Sequence, residues 1–152
     1  MEATSWLDAT VQRTKEKYQI QRAQEEQLAH ELSLKRRLGN QFCRKLFSWF
    51  EHVEVSFNTR FGSQVLVVSV LGTQGNRSVQ ILGRPLRAQE RIAEVRYHEE
   101  SATLKLSVGS GGTAAAQMIK FVLRDDEIVA EVAGKHYTPQ QLGQKIIDDL
   151  LA

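Results

Sequence analysis

The sequence predicts an α+β fold: a long N-terminal helix, an antiparallel meander sheet of about six to seven strands, and a C-terminal helix packed on that sheet. Three observations predict it. The stretch from Thr4 to Phe50 holds no proline and one glycine, Gly39, and is rich in helix formers. From Val53 to Tyr137 short β-branched and apolar runs alternate with turns built on Gly, Asn, Ser and Asp. The connections between those runs are too short for helical crossovers, so neighbouring strands run antiparallel.

The helix changes character along its length. From Val11 to Gln27 it is mostly polar, and its sparse apolar residues fall on a seam with heptad spacing. One row is Val11, Tyr18, Glu25 and Leu32; its companion is Leu7, Thr14, Gln21, Leu28 and Lys35. Half of that seam is polar, which fits a weak coiled coil. From Leu34 onward Leu38, Phe42, Leu46, Trp49 and Phe50 recur at three- and four-residue steps, widened by Cys43 and Phe47, so this part must be buried. Between the two lies Lys35-Arg36-Arg37-Leu38-Gly39-Asn40, which has the form of a helix stop. The apolar row nevertheless passes straight through Gly39, so the expectation is one continuous helix with a weak point there. The domain organisation read from this is an extended polar helical arm over residues 1–38 and a globular α+β domain over residues 39–152. The whole stretch from Thr4 to Phe50 would span about 70 Å as one rod, more than a domain of that size needs.

The strands follow in order. Val53, Val55, Phe57, Thr59 and Phe61 alternate with polar residues as in a half-buried strand. Val65–Leu71 is apolar on both faces and is expected to be a central strand. Arg77–Leu82 directs Val79 and Ile81 inward. Ile92–His98 and Ala102–Val108 form a hairpin around Glu99-Glu100-Ser101. Met118–Arg124 and Ile128–Ala133 flank an acidic turn, Asp125-Asp126-Glu127. The last helix opens on Thr138 as cap, Pro139 in the first position and Gln141 completing a T-x-x-Q capping box. Tyr137 and Leu142 are spaced as a hydrophobic staple, and Leu142, Ile146, Ile147 and Leu150 form one apolar face.

Composition narrows the classes of function. A 41% apolar and 25% charged chain of 152 residues is that of an ordinary folded protein. A formal charge of +2 does not by itself argue for nucleic acid. The single cysteine excludes an internal disulfide and a Cys-rich zinc site, and suits a reducing compartment. The acidic N-terminus has no secretory core segment, and no apolar run approaches membrane-spanning length, so a cytoplasmic protein with no membrane partner is expected.

Motifs that carry chemistry are weak. Gly109-Ser110-Gly111-Gly112-Thr113 lacks the lysine and the following helix of a phosphate loop. His30, His52, His98 and His136 show no metal-pair spacing, and the acidic turn lacks the alternating oxygen ligands of a calcium loop. Cys43 sits on the apolar helix face as a small hydrophobe. No metal or cofactor is implied, and no reaction is supported. Two sets of residues remain. Leu7, Val11, Tyr18, Leu28 and Leu32 are candidates for self-association, giving a homodimer or larger assembly through the N-terminal helix. Arg77, Arg84, Arg87, Arg91 and Arg96 are candidates for an anion or nucleic-acid contact, should they converge on one sheet face. The leading expectation is a non-catalytic interaction or oligomerisation module whose helix self-associates or docks on a larger assembly. A nucleic-acid or phosphate binder using the arginines is the second, and a small enzyme or carrier with a pocket between sheet and helices the third.

Overall fold

The computed structural model describes residues 2–73, 76–83, 90–109 and 115–152. A helix, α1 (Glu2–Phe61), is followed by seven strands: β1 (Leu66–Thr73), β2 (Asn76–Gly83), β3 (Arg91–His98), β4 (Thr103–Gly109), β5 (Ala115–Arg124), β6 (Glu127–Val132) and β7 (Lys135–Tyr137). A closing helix, α2 (Pro139–Leu151), ends the chain. The strands form one sheet in the order of the sequence, each antiparallel to the next. The chain divides into two compact units, Met1–Leu34 and Lys35–Ala152.

In the second unit one face of the sheet is covered by helices. Val79 and Ile81 of β2, Val95 and Tyr97 of β3, Leu104 of β4, Ile119 and Phe121 of β5 and Ala130 of β6 meet Phe42, Leu46 and Phe50 of α1 and Leu142, Ile146 and Leu150 of α2. This is the inward-facing half of each strand's alternation joined to one stripe of each helix. Phe42 meets Phe121 edge-on, with ring centroids 5.1 Å apart.

α1 is helical throughout, Gly39 included. Gly39 is a point of close approach: a Cβ there would lie 2.7 Å from the Tyr97 hydroxyl oxygen and 3.1 Å from a Phe121 ring carbon. The helix ends later than the sequence suggests. Val53–Phe61 is the last part of α1, and the strand expected there does not exist. Val53, Phe57 and Phe61 stand four residues apart, so they satisfy both an alternating and a helical period. The residue that separates the two is Val55, which a strand would bury alongside them and which is 63% exposed. Val53 and Phe57 pack on the core. The Phe57 and Phe61 rings stack at 6.0 Å. The stop is Gly62, whose φ of +91° closes the helix as its amide donates to the Asn58 carbonyl at 2.9 Å.

One further expectation is corrected. The Val65–Leu71 run is an edge strand, β1, and not a central one; Val70 and Leu71 are 41% and 48% exposed. Its start is buried at Leu66, and α1 supplies hydrogen bonds to its edge. At the other edge, the seventh strand is β7, three residues that pair with β6 across Ala133-Gly134. Both of those turn residues have positive φ, 51° and 78°, the backbone of a tight hairpin turn whose twist matches that of the strands. Asp125 and Asp126 make the same kind of turn between β5 and β6, at 48° and 64°.

α2 begins as its sequence predicts. The Gln141 amide donates to Thr138 Oγ1 at 3.3 Å, and the Thr138 amide donates to Gln141 Oε1 at 3.1 Å. Gly143 brings α2 tightly onto α1, since a Cβ there would fall 2.4 Å from the Trp49 ring. No described helix is long and apolar enough to cross a membrane.

Candidate functional site

The self-association residues lie on the first unit. From Thr4 to His30 every side chain is exposed except the half-buried Thr10. Leu7 is 53%, Val11 44%, Tyr18 66% and Leu28 65% exposed, while Leu32 is half-buried. Helical geometry places these five on one stripe, because steps of three and four residues return to nearly the same side of the helix. Side-chain hydrogen bonds described along this segment stay within the helix. The Thr14 hydroxyl donates to the Thr10 carbonyl at 2.8 Å, and the Gln21 amide donates to Glu25 at 3.3 Å. Trp6 and Ile20 are also largely exposed, at 64% and 60%. They stand roughly a third of a turn to one side of the seam, which is why a heptad reading passes over them.

The arginines are placed differently. Arg84 and Arg87 lie outside the described residues, as do residues 110–113 of the glycine-rich connection. Arg91 belongs to the helix-covered side of the sheet, sharing its alternation with Ala93 and Val95. Its guanidinium donates to the carbonyls of Asp149 and Ala152 at 2.8 and 3.4 Å. A cation there satisfies the free carbonyls at the end of α2 and complements the negative end of its dipole. Arg96 is on the opposite face, 3.0 Å from Glu94 of the same strand. Arg77 is exposed at the start of β2, while Gly83, the partner of Arg91, is six residues further along the strand. That separates Arg77 and Arg91 by about 20 Å. The three described arginines therefore occupy three places.

Arg36, the middle of the Lys35-Arg36-Arg37 run, is an anchor within the second unit. Its guanidinium donates twice to the Glu100 carbonyl, at 3.0 and 2.6 Å, in the turn between β3 and β4. Asn40 donates to Glu99 Oε1 at 3.1 Å, and the Tyr97 hydroxyl donates to the Arg36 carbonyl at 3.1 Å. Burial pushes the Tyr97 phenol far above its usual value, with the Cys43 and Glu99 charges adding and Arg36 opposing. Burial likewise drives the Cys43 thiol up, so at neutral pH it is a protonated core side chain rather than a nucleophile.

A second anchor holds β1. The Asn58 side-chain oxygen accepts from the amides of Val65 and Leu66 at 2.9 and 3.0 Å, and its nitrogen donates to the Leu66 carbonyl at 2.8 Å. One turn earlier Glu54 accepts from the Val68 amide. An edge strand leaves every second amide unpaired, and here two residues spaced by one helical turn answer two of those amides. No sequence pattern marks this pair in advance, because its partners are backbone groups of a strand that reads as central. Beside it Val53, Ser56, Phe57, Arg60 and Phe61 line a shallow groove of about 470 Å³.

The histidines are dispersed. Arg124 Nη1 lies 3.2 Å from His136 Nδ1, where the ring nitrogen accepts. That pair lies in an open polar cleft between β7 and α2, lined on the helix side by Lys145 and Asp149, which pair along α2 at 3.0 Å.

No protein-family model, curated protein or solved structure matches the chain.

Proposed function

We propose that the protein is a non-catalytic interaction module whose N-terminal helical arm, residues 1–38, associates with a second copy of itself. The observation that carries this reading is the exposed stripe of Leu7, Val11, Tyr18 and Leu28, at 44–66% exposure along one side of the arm. Large apolar side chains scattered singly on a surface need no explanation, whereas a row of them at helical spacing does. The magnitude also suits association of modest strength. Burying these side chains on both copies is worth on the order of 10 kcal/mol, against an association cost of about 4–15 kcal/mol. At the low end of that cost about 6 kcal/mol is left, which corresponds to a dissociation constant of some tens of micromolar.

Light scattering on the full chain across a concentration series tests the reading. The expected mass rises towards twice that of the single chain between tens and hundreds of micromolar, and the double variant Val11→Asp/Leu28→Asp stays monomeric throughout. A monomer for the unaltered chain at every concentration would overturn self-association and leave docking to a different protein as the arm's role.

A further inference from the structure

We infer that two copies of the arm pair antiparallel, with Leu7 opposite Leu32, Val11 opposite Leu28, Thr14 opposite Glu25 and Tyr18 opposite Gln21. The inference rests on the self-association reading and specifies its geometry. The seam has its aliphatic residues at its two ends and its polar residues in the middle: Leu7 and Val11, then Thr14, Tyr18, Gln21 and Glu25, then Leu28 and Leu32. In an antiparallel pair each residue of one heptad row faces a residue of the companion row. In the stated register all four aliphatic positions meet aliphatic partners at once, twice over by symmetry. A shift of one heptad in either direction breaks this. One shift sets Val11 against Gln21 and Leu7 against Glu25; the other sets Val11 against Lys35 and Leu32 against Thr14.

A parallel in-register pair also aligns the aliphatic residues, each with its own copy, so the charges decide. There Glu25 faces Glu25 in the middle of the seam, and the flanking positions bring Lys17 of one copy beside Arg22 of the other. Like charges at such distances are repulsive. In the antiparallel register Glu25 faces Thr14. It lies between Arg22 of its own helix, three residues before it, and Lys15 of the second copy. Those two cations approach each other across the same edge, and Glu25 stands between them. Arg22 has Glu25 three residues away in either arrangement, and each arrangement sets a cation pair across its edge, Lys15 with Arg22 or Lys17 with Arg22; what separates them is the Glu25–Glu25 contact within the seam, which only the parallel form makes.

Disulfide trapping on the full chain tests this, with mass measured in parallel by light scattering. Val11→Cys and Leu28→Cys chains are oxidised separately and as a mixture. Cys43, at 4% exposed, is too buried to compete. The expected result is a crosslinked dimer from the mixture and little from either variant alone, because in the antiparallel pair identical positions lie about 25 Å apart, beyond any disulfide. A chain carrying Thr14→Lys is expected to dimerise about fivefold more tightly, by placing two new cations opposite Glu25. Dimers in which each cysteine variant crosslinks with itself, and which Thr14→Lys weakens, would overturn the antiparallel register and leave self-association standing. A chain that is monomeric by mass and yields no crosslink would overturn both.

Discussion

Replacing Gly39 by alanine separates two explanations for a glycine in the interior of a long helix. If Gly39 is only a soft point in α1, the variant gains helix propensity and the protein becomes more stable by about 1 kcal/mol. The structure predicts the reverse. The new methyl would stand 2.7 Å from the Tyr97 hydroxyl oxygen and 3.1 Å from the Phe121 ring, both inside van der Waals distance. Neither ring has room to yield. Tyr97 is 2% and Phe121 3% exposed, their centroids are 6.2 Å apart, and Phe121 is braced edge-on by Phe42. The Tyr97 hydroxyl is also committed to the Arg36 carbonyl. Overpacking of this kind costs about 1–3 kcal/mol, and loss of the phenol hydrogen bond costs about 1 kcal/mol more. Set against the propensity gain, the net is a loss of about 1–3 kcal/mol, or roughly 3–10 °C in Tm for a chain of this size. Thermal melting of Gly39→Ala, Tyr97→Phe and the double variant provides the assay. Removing the hydroxyl opens the space the methyl needs, so the double variant is expected to recover at least half of the loss, a coupling that independent sites do not show. A higher Tm for Gly39→Ala alone, or strict additivity in the cycle, would refute the idea that close packing fixes the glycine.

Two other substitutions test how the elements are held. Asn58→Ala removes three hydrogen bonds between α1 and the start of β1; a loss of about 1–3 kcal/mol is expected. Hydrogen exchange should show faster exchange at the amides of Val65 and Leu66 while β3 and β4 remain protected; unchanged protection in β1 would count against the clamp. Thr138→Ala removes the capping acceptor of α2 and is expected to cost about 1 kcal/mol in denaturant titrations, whereas Thr138→Ser should cost little.

The features legible in the sequence are those that depend on neighbours in the chain. The capping box at Thr138 and Gln141 is one: four consecutive residues carry both hydrogen bonds, and the structure shows both. The hairpins are another, since each pairs adjacent strands across a short turn. Legibility fails where two readings share the same residues or where the deciding partner is distant. Val53, Phe57 and Phe61 fit either period, and only the exposure of Val55 distinguishes them. β7 has three residues, too few to show a period. Gly39 carries the form of a helix stop inside a continuous helix, and the reason for it, the Tyr97 side chain, lies in β3, far along the chain. Arg91 reads as a free cation for the same reason, its acceptors being carbonyls at the end of the chain.

The same distinction explains what the long helix does within the second unit and in the arm. From Lys35 onward α1 is held by specific tertiary partners: Glu100 for Arg36, Glu99 for Asn40, Tyr97 at Gly39, and the amides of β1 for Glu54 and Asn58. Each partner belongs to the sheet or to one of its turns, so this half of the helix is a structural member of the domain. Before Leu34 the described side-chain hydrogen bonds are intrahelical, three or four residues apart, and such pairs contribute only a few tenths of a kcal/mol each. Isolated helices of polar composition are marginal in water, and tertiary packing supplies most helical stability in proteins. A segment in which Leu7, Val11, Tyr18 and Leu28 remain in solvent therefore lacks the usual source of its own order. Under the proposed self-association a second copy laid along it would supply that packing, and helicity of the arm and dimerisation would be one coupled equilibrium. Dilution below the dimer's dissociation constant should then lower helical content by circular dichroism, with the loss confined to residues before Leu34.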